Sequence, residues 1–200
     1  MMDCKRALTE SAGDLARAKE LLRTWGLADN QKRSGRTASE GLVSAYIHEV
    51  GGLPPKVGVL IELDCETDFV AKTPEFRELA RNLAMQVAAS EPKWVRREDV
   101  PVDFIEAERA IARNSDAVKN KPEQVVDKIV DGRVKAVLEG KGGVLLMQPY
   151  IKDSTGKQKV EDLVGEVAAT MKENIVVRRF SRFKVGEADE AGPDPGAGGE

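Results

Sequence analysis

From Phe76 to Val87 the apolar residues stand at Phe76, Leu79, Ala80, Leu83, Ala84 and Val87. That spacing draws one stripe along an α-helix, predicted to run to about Ser90. Its start is well marked. Thr73 suits the cap, Pro74 the first helical position, and Glu75 complements the positive end of the helix dipole. Pro92 closes it. Upstream the period changes from helical to two: Val57, Val59, Ile61 and Leu63 share a face, so 56–64 reads as a strand. EGLVSAYIHEV, 40–50, has strand character too. GGLPP between them is turn chemistry, with Gly supplying positive φ and Pro fixing φ, and an antiparallel hairpin follows. A third strand is predicted at 174–185. There Ile175, Val177 and Phe183 share parity and Phe180 does not, which a bulge or an edge position would explain.

Helical spacing recurs on both sides of this core. Ala7 and Leu8, then Leu15, Ala18, Leu21, Leu22 and Trp25, predict two short helices over 2–26, with Asp14 capping the second and Gly26 ending it. The polar, basic stretch 27–38 reads as a linker with room for some helix. Further helices are predicted at 101–114 (Phe104, Ile105, Ile111), at 122–139 (Val125, Val126, Ile129, Val134, Val137, Leu138), and from Val160 to Met171. Val144–Ile151 is apolar and reads as extended around Pro149. The tail 186–200 is Gly/Pro/acidic without core-forming residues and is expected to be disordered. Three strands among some five helices give an α+β fold: a helical module at 1–26, a linker at 27–38, and a core at 39–185.

Composition narrows the functional classes. In 200 residues, 41% are hydrophobic and 32% charged, as in a soluble globular protein. No apolar run approaches the roughly 20 residues of a membrane span. The N-terminus lacks a secretory h-region. Two cysteines, Cys4 and Cys65, are too few for a disulfide framework or a four-ligand zinc site, which fits a reducing compartment. The net charge of −3 argues against a general nucleic-acid binder. Catalytic chemistry is scarce. The one histidine, His48, stands in a predicted strand and reads as structural, and there is no phosphate-binding glycine loop. The chain is therefore not expected to be an enzyme, and no cofactor is implied.

Two charged segments remain. DCETDFVAKTP, 64–74, alternates Asp64, Glu66 and Asp68 and then places Phe69. As a calcium loop it has acids at positions one, three, five and twelve (Glu75), but position six must turn sharply and is Phe69 rather than Gly. Phe69 is then either a core residue stapling the following helix or an exposed anchor for a partner. The second segment is the basic run Arg178, Arg179, Arg182 and Lys184. Charge of this kind commonly protects an edge strand and is expected to be solvated or paired with acids; RNA binding is the weaker alternative.

MMDCKRAL at the start, CETDFVA in the middle and ENIVVRRF near the end resemble, in that order, the elongation factor Ts family. EGLVSAYIH and VGVLIEL are similar to its core, and the likeness runs from Met1 to about Gly186. The resemblance implies an N-terminal ubiquitin-associated-like module, an α+β core, and nucleotide exchange on elongation factor Tu in the cytoplasm of a bacterium or in an organelle matrix. It implies that Thr67, Asp68, Phe69 and Val70 enter the GTPase near its magnesium and phosphate site. Phe69 is then the wedge and Asp68 the group that disturbs the magnesium. It favours the exposed-anchor reading of Phe69.

Two departures from the family pattern shape the remaining expectations. The chain opens at the methionine pair, so the module is expected to lack its first helix. Met2, Asp3 and Lys5 are carried over as candidate contacts of that module. Length leaves room for a single core, and a homodimer supplying the second half is expected. Ser181 in RRFSRF offers no thiol, so such a dimer would be non-covalent.

Overall fold

In the computed structural model, which describes residues 2–119 and 121–187, the predicted hairpin is the centre of the sheet. β1 (Glu40–Val50) pairs antiparallel with β2 (Leu53–Cys65), and β2 with β3 (Val176–Lys184), in the order β1-β2-β3. Val50 faces Leu53 across Gly51 and Gly52, both at positive φ. Two such residues give a turn whose twist suits a hairpin. β2 thus begins three residues before the predicted strand and takes in both prolines.

The helical stripe packs on one face of this sheet. α4 (Pro74–Ser90) buries Phe76, Leu79, Ala80, Leu83, Ala84 and Val87 against Val59, Ile61, Leu63 and Val177. Phe76, with 0% of its surface exposed, is among the largest fully buried side chains. The cap is the one the sequence predicts: the Thr73 side chain accepts a hydrogen bond from the Phe76 amide, and Pro74 opens the helix. The helix closes at Glu91, in the left-handed conformation, one residue before Pro92. α7 (Val160–Met171) covers the same core through Val160, Val164 and Ala168.

The phase slip in β3 is a bulge. Glu62 faces Arg179 while Leu63 faces Val177, which leaves Arg178 as the extra residue. Beyond it the two faces exchange. Phe180 packs on the core, and Phe183, expected to share a face with Val177, is 68% exposed.

Two expectations for the N-terminal half are corrected. α1 (Met2–Glu10) is followed by α2 (Leu15–Arg33), which passes through Gly26 instead of ending there. The glycine serves packing: a Cβ at Gly26 would stand 3.2 Å from the Ala169 Cβ of α7, so its small size lets α2 approach that helix. Most of the supposed linker is therefore helix, and only the short segment from Ser34 to Ser39 joins α2 to β1.

The two middle helices form a hairpin. α5 (Val102–Arg113) and α6 (Glu123–Glu139) run antiparallel, joined by Arg109–Asp131 at 2.8 Å and Arg113–Asp127 at 2.7 Å. At its base Val100, Val134, Leu138 and Val144 make a second, smaller cluster with Trp94 and Phe104. The segment expected to be extended, Val144–Ile151, contains a 3-10 turn at Leu145–Met147. The Leu145 and Leu146 amides donate to the Trp94 and Val95 carbonyls, and buried Gln86 donates to the Pro149 carbonyl and accepts from the Ile151 amide, while Gln148 donates to the Gly140 carbonyl nearby. Buried polar groups need such partners, and here neighbouring backbone and one glutamine side chain share the task. Of the expected disordered tail, Gly186 and Glu187 are described, and 188–200 lie outside the described residues.

Candidate functional site

The chain leaves β2 at Cys65 and turns into α3 (Asp68–Ala71), one helical turn long. Thr67 caps it: its backbone is extended, and its hydroxyl accepts from the Val70 amide. Thr73 holds the far end, its hydroxyl donating to the Val70 carbonyl at 2.8 Å. Val70 is buried in the main core. Phe69, one residue earlier, points the other way and is 79% exposed, more than any other bulky apolar side chain described. The core reading of Phe69 is thereby excluded.

Charge surrounds this ring on its solvent side. Asp68 is ion-paired with Lys72, one helical turn on, and the Lys72 ammonium lies 5.9 Å from the Phe69 ring centroid. A shallow depression of about 620 Å³ beside the loop is lined by Gly41, Ser44, Asp68, Lys72 and Arg77 among others. Gly41 is needed where it stands, with φ 155° and a would-be Cβ only 2.3 Å from the Leu63 carbonyl oxygen. A side chain there would push β1 from β2 directly under the loop.

Beneath the loop lie groups that the motif search passed over. Glu173 follows α7 and accepts from the Glu66 amide (3.0 Å), the Thr67 amide (3.1 Å) and the Thr67 hydroxyl (2.6 Å). Glu66 in turn accepts from the Asn174 amide at 2.7 Å, and Asn174 donates to the Arg36 carbonyl at 2.7 Å. The available signal was the pair Glu173–Asn174 opening the third motif, ENIVVRRF. Cys65 is sealed below. Burial, helped by the Glu173 charge, raises its thiol to about 11, so it stays protonated and unreactive near neutrality.

The acids of the calcium reading are engaged within the protein. Asp64 is buried and paired with Arg178 at 2.7 Å, while Glu66 is bound to Asn174. No group of three potential metal ligands exists among the described residues.

The basic strand is neutralised as an edge strand should be. Arg178 pairs with Asp64, Arg179 with Glu62, Arg182 with Glu91 and Glu187, and Lys184 with Glu91. Its cations are committed inside the molecule. His48 is exposed near the end of β1, on the same face as Tyr46, its Nδ1 2.9 Å from the Tyr46 hydroxyl.

Met2, Asp3 and Lys5 lie exposed on α1, on a different element from the loop. Asp3 lines a cleft of about 1070 Å³ between the N-terminal helices and α7, together with Trp25, Glu166 and Thr170. Among the described residues no helix is long and apolar enough to cross a membrane.

The family model described as Elongation factor TS matches residues 30–187, which takes in the loop, the sheet and both packed helices. The chain belongs to the elongation factor Ts family. Curated relatives agree along nearly the whole length. Elongation factor Ts of Moorella thermoacetica is 54% identical over 187 residues, 94% of this chain and 88% of that protein. Elongation factor Ts of Thermotoga maritima is 49% identical, covering 95% of this chain and 90% of its own. That of Anaeromyxobacter dehalogenans is 47% identical, covering 95% and 83%. In this chain Thr67–Val70 stands on the α+β core, with Val70 buried as a root and Phe69 held out in water.

Proposed function

We propose that this chain promotes GDP release from elongation factor Tu by inserting the Thr67–Val70 segment near the magnesium and phosphate site of that GTPase. The observation that carries the reading is the 79% exposure of Phe69 on a turn whose neighbours are tied down. An exposed aromatic costs solvation in the free protein, and a rigid ring amid polar groups is the usual form of an interface hot spot. Phe69 is the wedge. Asp68 brings its carboxylate beside the metal and, on docking, exchanges Lys72 for groups of the partner. Thr67 and Val70 root the segment.

Exchange needs no covalent step. A factor that prefers the nucleotide-free GTPase must lower GDP affinity by the same ratio. GTP then refills the emptied site and the factor departs. On this reading the chain is not an enzyme, carries no cofactor, and works where translation occurs, in the bacterial cytoplasm. The exposed N-terminal residues Met2, Asp3 and Lys5 are a second contact. The pairing of Arg178, Arg179, Arg182 and Lys184 with acids speaks against the RNA-binding alternative.

A non-covalent homodimer is the second part of the proposal. Leu60, Val43, Ile47 and Phe183 are exposed on the sheet face opposite α4, where Phe183 and Ile47 flank Gly58 in register. A second copy would cover this face. Sedimentation at micromolar concentration should give a dimer that Phe183→Asp converts to monomer; a wild-type monomer at all concentrations would remove this part. The exchange reading is tested by the release of fluorescent GDP from elongation factor Tu in excess unlabelled nucleotide. Acceleration by catalytic amounts of the factor is expected, and binding without acceleration would reduce it to an interaction module.

A further inference from the structure

We propose that Glu173 is a positioning residue for the Phe69 loop, and that with Glu66 and Asn174 it forms a clasp that sets the loop before any partner arrives. This rests on the exchange reading and deepens it.

A helix of four residues does not hold itself. Nucleation costs more than one turn returns, so α3 exists because its surroundings impose it. The strongest imposed contact is Glu173. Its two oxygens take two consecutive backbone amides and one hydroxyl, all from the residues immediately before α3. Hydrogen bonds to a carboxylate are roughly twice as strong as neutral ones. Together they fix Thr67 in the extended conformation from which the chain turns into the helix, at φ −130° and ψ 151°. That one orientation decides which of two adjacent side chains enters the core. With Thr67 so held, Val70 goes in and Phe69 goes out.

The contact is reciprocal. Glu66 accepts from the Asn174 amide, so loop and β3 entry each bind the other's backbone through a side chain. Lys172, left-handed at φ 61°, ends α7 immediately before Glu173 and turns the chain back toward the loop. Asn174, itself buried, reaches the Arg36 carbonyl beyond α2. Three segments distant in sequence thus meet under the loop.

A loop ordered in advance spares the complex the cost of ordering it on binding. Removing the clasp should therefore weaken engagement of the partner while leaving the wedge intact once engaged. That separates Glu173 from Phe69, whose loss should slow release even at saturation.

The test uses full-length Glu173→Ala, Glu173→Gln and Phe69→Ala. GDP release from elongation factor Tu is followed across factor concentrations, alongside amide hydrogen exchange at Glu66 and Thr67. Glu173→Ala should raise the half-saturating factor concentration roughly tenfold, keep the saturating rate within about twofold, and speed exchange of both amides. Glu173→Gln retains an acceptor for the amides and should recover most of the loss. Phe69→Ala should lower the saturating rate instead. If Glu173→Ala unfolds the chain, Thr67→Val carries the test: it deletes the hydroxyl's bonds to Glu173 and to the Val70 amide but leaves the Glu66 and Thr67 amides on the carboxylate, with about threefold expected. An unchanged half-saturating concentration, with Phe69→Ala slow, would overturn the clasp and leave the exchange reading standing. An inert Phe69→Ala would overturn the exchange reading itself, and the clasp with it.

Discussion

The Phe69 loop and strand β3 are both rich in charge and use that charge in opposite ways. In β3 the cations satisfy acids of this same molecule, so little is left to offer a partner. Around the loop a network of polar contacts lies underneath, at Glu173 and Asn174, and holds a bare ring out to solvent. Self-satisfied charge marks architecture; charge spent on displaying an apolar group marks a site. The difference is invisible to a count of basic and acidic residues, since both segments look equally charged on paper.

This contrast can be broken in graded steps. Phe69→Ala should cost the largest functional effect, about 2 kcal/mol or roughly thirtyfold in GDP release, with an unchanged melting temperature. Unfolding of that variant would return the ring to the core. Arg182→Ala should do the reverse. Its side chain is 9% exposed and bridges Glu91 and Glu187, so stability should fall by about 1–3 kcal/mol in a denaturant titration while release is unaffected. Slowed exchange by a stably folded Arg182→Ala would mean that β3 also faces the partner. Arg179→Ala, at an exposed pair with Glu62, should cost at most about 1 kcal/mol in stability and leave RNA binding as weak as before.

The smallest effect is a dependence on pH. Burial raises the Glu91 carboxyl, but hydrogen bonds and charge from Lys141, Arg182 and Lys184 outweigh it and hold the pKa below its ordinary 4.5. The unfolded chain therefore takes up this proton at higher pH than the folded one. The contribution of Glu91 is complete above the ordinary value and is lost as pH falls through the lowered one. Glu91→Gln should flatten the acid limb of the stability curve by within about 1 kcal/mol. An acid limb identical to that of the unmutated protein would remove Glu91 from the account.

Much of this was legible in the residues. Period-two alternation gave the hairpin, the Thr73–Pro74 signal gave α4 to the residue, and the slip at Phe180 announced the bulge at Arg178. Two errors share one cause: a local rule overruled by a contact distant in sequence. Gly26 reads as a stop until Ala169 comes against it. Val144–Ile151 reads as extended until the Trp94 and Val95 carbonyls take the Leu145 and Leu146 amides at a 3-10 turn. The site followed the same division. The resemblance to the family pointed to Thr67–Val70, and alternation could not choose between a buried and an exposed Phe69. The clasp joins residues more than a hundred positions apart, and its only local trace was the pair Glu173–Asn174 opening the third motif.

Stopped-flow release of labelled GDP from elongation factor Tu, with the unmutated chain and Phe69→Ala at equal concentration and with both melting curves recorded, tests the central claim most directly. Fast release with the ring and slow release without it, at matched thermal stability, is the predicted result. Equal rates from two equally stable proteins would contradict it.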